Sequence, residues 1–79
     1  MKEGFVVSSR VRKAVFSAVA GGIGSIEEIS KKEHLLPAQT QKSLKELRDN
    51  GLIEEKDGKL QLTEEGRKTV QTMKKERMI

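Results

Sequence analysis

The sequence predicts an α+β fold that is mostly helical, with a short N-terminal strand, three core helices, a two-stranded hairpin and an extra C-terminal helix. Three observations carry this expectation. Apolar residues recur at helical spacing in three stretches before residue 51, and Asp57-Gly58 separates two short β-prone runs. Glycines, serines, a threonine and the single proline fall where helices should begin or end. At 79 residues the chain is one domain, 1–79, with a core expected over 9–63 and a C-terminal helix over 64–77.

Phe5-Val6-Val7 is β-prone and is expected to be extended. Ser8 or Ser9 can cap the first helix, whose inner face carries Val11, Val15 and Val19, flanked by Ala14, Ala18 and Phe16. Gly21-Gly22 ends it, because glycine takes the left-handed conformation without steric cost. Ser25 and Glu28 have capping-box spacing, so a short second helix begins there, buries Ile26 and Ile29, and stops near Glu33-His34. Pro37 fits the first turn of a third helix that runs to Asn50 and is closed by Gly51. Thr40, Leu44 and Leu47 share one face of that helix, opposite Ala38, Lys42, Lys45 and Asp49, with Gln39 and Gln41 on the flanks. Leu52–Glu55 and Leu60–Leu62 read as strands about the turn at Asp57-Gly58, since both central positions of a tight hairpin turn need positive φ. Thr63 caps the last helix, with Glu64 and Glu65 in its first turn and the basic cluster near Lys74-Lys75 at its end, both favourable to the helix dipole.

Composition narrows the chemistry. Hydrophobic and charged residues make up 34% and 35% of the chain, but the apolar ones are patterned, which favours folding over disorder. With no cysteine there is neither a disulfide nor a thiolate-ligated metal, and no cofactor is expected. No apolar run is long enough to span a bilayer and the N-terminus has no signal-peptide pattern, so a cytoplasmic protein is expected. The net charge of +4 suits a polyanionic partner, yet no segment is a basic tail: residues 25–51 balance five basic against five acidic side chains. His34 is the only histidine and is expected to serve a turn. Gly21-Gly22-Ile23-Gly24 follows a helix and lacks the spacing of a phosphate loop. Glu27-Glu28 and Glu54-Glu55 are adjacent along the chain and the serines have no triad partners, so no enzyme is expected.

Two helices joined by a tight turn, the second leading into a hairpin, is how a winged helix-turn-helix is built. The resemblance extends to residues. Ser25-Ile26-Glu27-Glu28-Ile29-Ser30 is similar to the opening of the second helix in prokaryotic MarR-like and ArsR-like transcriptional regulators. The run from Leu44 to Ile53 resembles their passage from recognition helix into wing, and Leu62-Thr63-Glu64-Glu65-Gly66 resembles the Leu-Thr-x-x-Gly that follows it. This resemblance covers roughly residues 9 to 70 and implies binding of double-stranded DNA, with helix 37–50 in the major groove and wing 52–62 on the adjacent backbone or minor groove. Gln39, Gln41, Lys42 and Lys45 would then face base edges or phosphates, Ser43 a phosphate, Lys56 and Lys59 the minor groove or its phosphates, and Arg12, with Arg10 and Lys13, the backbone.

Departures from a strong DNA binder keep alternatives open. The recognition helix has no arginine in its first two turns, and Leu36 stands where Ser, Thr or Asp usually caps. The lysines could simply be solvated charges. The alternative to DNA binding is a protein-interaction module of the same fold within a larger assembly. RNA binding is the weakest reading, since Phe5 and Phe16 are the only aromatics. Val70 and Met73 could simply pack the last helix on its own domain while Met78-Ile79 fray, or helix 64–77 could pair with a second copy in a homodimer matched to a palindromic site.

Overall fold

Three helices begin by the same device, a hydroxyl that accepts a backbone N–H in the first turn. Ser9 Oγ accepts from Arg12 N–H at 3.2 Å, Ser25 Oγ from Glu28 N–H at 3.1 Å and Thr63 Oγ1 from Gly66 N–H at 3.0 Å. The computed structural model describes residues 2–77. Its elements are α1 (Glu3–Val7), α2 (Arg10–Ala20), α3 (Ile26–Glu33), α4 (Pro37–Asp49), β1 (Ile53–Lys56), β2 (Lys59–Leu62) and α5 (Glu64–Lys75). This is the expected α+β architecture of a winged helix, with α2, α3 and α4 as the three-helix core.

The N-terminal strand is the one element that is wrong. Residues 5–7 lie in α1, a single helical segment that buries Val6 completely. An isolated strand here would leave its backbone groups unpaired, whereas the helix satisfies them locally, as in Val6 N–H to Lys2 O and Ser8 N–H to Gly4 O. Side-chain bonds then hold it: the Arg12 guanidinium of α2 donates to the Phe5 carbonyl at 2.6 Å, and the ammonium of Lys2, the N-cap residue, donates to the Asn50 carbonyl at the end of α4.

The core draws on every layer. Val15, Phe16 and Val19 from α2 meet Ile29 of α3, Leu44 and Leu47 of α4, Leu52 and Ile53 at the base of the hairpin, and Val70 and Met73 of α5. Ser43 is also on the inner face of α4, so the buried set is Thr40, Ser43, Leu44 and Leu47, a complete helical i, i+3, i+4, i+7 stripe. The Ser25–Glu28 pair departs slightly from a full capping box: the Glu28 carboxylate accepts from the Ser25 hydroxyl at 3.2 Å.

The antiparallel hairpin pairs Ile53 with Leu62 and Lys56 with Lys59, extending each expected strand by one residue at the turn. Asp57 at φ 53° and Gly58 at φ 77° form the tight turn that two positive-φ residues allow. Leu60 N–H donates to Gly24 O at 3.0 Å, which anchors the hairpin to the segment before α3. At the other end Thr63 N–H donates to Leu52 O at 3.1 Å and Thr63 Oγ1 donates to Gly51 O at 2.6 Å. These bonds clamp the start of α5 against the start of the wing.

The last helix ends at Lys75, two residues short of expectation. Val70 and Met73 pack into the domain's own core, leaving Arg67, Lys68, Gln71, Lys74 and Lys75 on the outer face. Met78 and Ile79 lie outside the described residues. Among the described residues no helix is long and apolar enough to cross a membrane, and no cluster of His, Asp and Glu has metal-binding geometry.

Candidate nucleic-acid interface

The turn between α3 and α4 sets how α4 is presented. His34 closes α3 in the left-handed conformation, φ 57°, and both its own N–H and that of Leu35 reach the Ser30 carbonyl. Behind the turn, Ser30 Oγ and Thr40 Oγ1 share a hydrogen bond of 2.8 Å. Both residues are buried, so this bond fixes the mutual position of the two helices from inside. Leu36 is extended at φ −73°, ψ 144°, as a residue before proline should be, and Pro37 opens α4.

With its inner stripe committed to the core, α4 turns Ala38, Lys42, Lys45 and Asp49 to solvent. Gln41 and Arg48 flank this face on the hairpin side, where with Lys45, Glu55 and Gly58 they line a cleft of about 520 Å³ between α4 and the wing. Gln39 flanks the opposite side. At the wing tip the exposed Lys56 and Lys59 are direct cross-strand partners. Like charges in that position repel, and a polyanion laid across the tip would relieve the repulsion.

The sequence-predicted residues therefore divide. Gln41, Lys42, Lys45, Lys56 and Lys59 are all exposed on the α4 face or the wing. Lys45 Nζ sits 3.2 Å from Asp49 Oδ2, a solvated pair of little strength that a phosphate could displace. Gln39 is exposed but already employed: its Oε1 accepts the Leu36 N–H at 3.0 Å, the half of a capping box that the third position supplies.

Two expectations are corrected. Ser43 is only 4% exposed because it completes the buried stripe, which leaves almost no surface for a phosphate. Arg12 is a structural cation. Its side chain is 14% exposed, donates to Phe5 O and to Ser8 Oγ at 2.9 Å, and pairs with Glu46 Oε1 at 3.2 Å. The guanidinium also lies 4.0 Å from the centroid of the Phe5 ring. One side chain thus ties α1, α2 and α4 together, and four of its five N–H donors are spent within the domain. Arg10, two residues earlier, is exposed.

Arg48 was missed from sequence. It lies beyond the first two turns of α4, where base-reading residues are sought, yet it is seven residues after Gln41 and three after Lys45, and so shares their side of the helix.

A family model described as winged helix-turn-helix matches residues 9–79. No curated protein and no solved structure matches the chain. The match is to the winged helix-turn-helix family as a whole and does not select the MarR-like or ArsR-like branch. It spans the three-helix core, the hairpin and α5, and the chain belongs to the winged helix-turn-helix family.

Proposed function

We propose that the chain binds double-stranded DNA as a transcriptional regulator, with α4 in the major groove and the β1–β2 wing on the neighbouring backbone. The observation that carries this reading is the shared exposure of Gln41, Lys42, Lys45 and Arg48 on α4 beside a wing tip bearing Lys56 and Lys59. Every apolar residue of α4 beyond its first turn faces the core, so the outer face has no packing duty within the domain. The lysines provide charge for phosphates, and the Gln41 amide can pair with a base edge. The reading concerns one domain on one half-site. Among the described residues the outer face of α5 available to a dimer is polar, because Val70 and Met73 are core residues.

The test is fluorescence anisotropy of a labelled random-sequence duplex of about three helical turns, titrated at several salt concentrations. Non-specific affinity is expected at about 10⁻⁴–10⁻⁶ M near physiological salt, tightening steeply as salt falls. The Lys42→Ala/Lys45→Ala variant is expected to bind more weakly and to lose about one to two units of the log–log salt slope. Folded protein that binds no duplex at about 50 mM salt would overturn the reading and hand this surface to a protein partner.

A further inference from the structure

We infer that Leu36 is a specificity-determining residue that contacts the 5-methyl group of thymine, so that α4 prefers A·T base pairs; this rests on the DNA-binding reading above. Leu36 is 67% exposed, against 36% for Val7, the other exposed large hydrophobic residue among those described. It occupies the N-cap of α4, where Ser, Thr or Asp would be more stable and would expose less apolar surface. Its backbone is nonetheless well fixed. Pro37 restrains it from the C-terminal side, and Gln39 Oε1 holds its N–H. With Pro37 and Ala38, also exposed, it forms an apolar nose at the leading end of α4.

The chemistry of the other side chains sharpens the assignment. Gln39 holds the nose with the acceptor that bidentate pairing to adenine would need. The lone arginine of α4, Arg48, lies in its last turn, away from the leading end. Along the leading turns that leaves the apolar nose, the Gln41 amide and Lys42. In the major groove the only apolar feature of a base pair is the thymine methyl, and a glutamine amide pairs with adenine N6 and N7. Leu36 and Gln41 therefore both favour A·T base pairs.

The experiment compares three alternating duplexes of equal length, dA·dT, dA·dU and dG·dC, by anisotropy at fixed low salt. Replacing thymine by uracil removes the methyl and leaves charge and hydrogen-bonding pattern intact. The wild type is expected to bind dA·dT roughly threefold to fivefold more tightly than dA·dU for each methyl covered, and dG·dC no better than dA·dU. Leu36→Ser restores a helix cap, so it should fold at least as stably, and it is expected to bind dA·dT and dA·dU equally. Equal binding of the two by the wild type, or discrimination that survives in Leu36→Ser, would overturn the inference while leaving DNA binding in place. Failure to bind all three duplexes would overturn the DNA-binding reading and this inference with it.

Discussion

Gly66→Ala isolates the joint on which the wing depends. Gly66 lies in the first turn of α5, and a Cβ built there would fall 2.1 Å from the Leu52 carbonyl oxygen and 3.3 Å from Leu62 Cβ. Ordinary contact begins near 3.4 Å, so helix and carbonyl would have to part by about 1.3 Å. That carbonyl accepts the Thr63 N–H at 3.1 Å, and the neighbouring Gly51 carbonyl accepts the Thr63 hydroxyl, so the shift strains both bonds of the clamp. Overpacking of this kind costs about 1–3 kcal/mol and a weakened internal hydrogen bond about 1 kcal/mol, offset by a gain of roughly 1 kcal/mol in helix propensity. The net is a loss of about 1–3 kcal/mol, or a fall in Tm of roughly 5–20 °C for a domain of this size. Thermal denaturation followed by far-UV circular dichroism reads it directly. Gly4→Ala is the control, because nothing lies within 4 Å of its added Cβ and the same propensity gain acts unopposed. A Tm for Gly66→Ala equal to or above the wild type would show that the joint is loose and refute the reasoning.

Three further substitutions probe the presentation of α4. His34→Gly relieves a left-handed residue at a cost of greater chain freedom, and is expected to stabilise the domain by about 0.5–1 kcal/mol, seen as a higher urea midpoint. A lower midpoint would mean that the imidazole makes a contact worth more than the strain. Thr40→Val should cost about 1–2 kcal/mol by stranding the buried Ser30 hydroxyl, while Ser30→Ala/Thr40→Val should cost less than the two single changes combined; additive values would deny the coupling. Arg12→Met removes the bridge to Glu46, Phe5 and Ser8, and is expected to destabilise by about 1.5–3 kcal/mol while leaving the salt slope of DNA binding unchanged below its Tm. A slope reduced by about one unit would return Arg12 to the phosphate backbone.

The elements that could be read from sequence are those whose signals are local and mutually consistent. Asp57-Gly58 between alternating runs placed the wing to within one residue, and the spacing of Ser25, Glu28 and Ile29 placed α3. The N-terminal strand failed because three β-prone residues carry little intrinsic preference, and tertiary contacts fix the segment instead: Arg12 on the carbonyl of Phe5, and the neighbouring Lys2 on Asn50 at the end of α4. Site residues divided along the same line. Exposure of Lys42 and Lys45 follows from helical periodicity, and Ser43 could have been assigned to the core by the same count, since it fills the i+3 place after Thr40. The capture of Gln39 by Leu36 and of Arg12 by Glu46 depends on side-chain geometry that no periodicity contains.

The most direct test of the central claim is to titrate the ¹⁵N-labelled protein with the random-sequence duplex at low salt and follow its amide resonances. Shifts are expected to concentrate at residues 36–48 of α4 and at Lys56–Lys59 of the wing, with the outer face of α5 around Lys68 and Gln71 unmoved. Shifts centred on α5 or on α1, with α4 and the wing silent, would contradict the account.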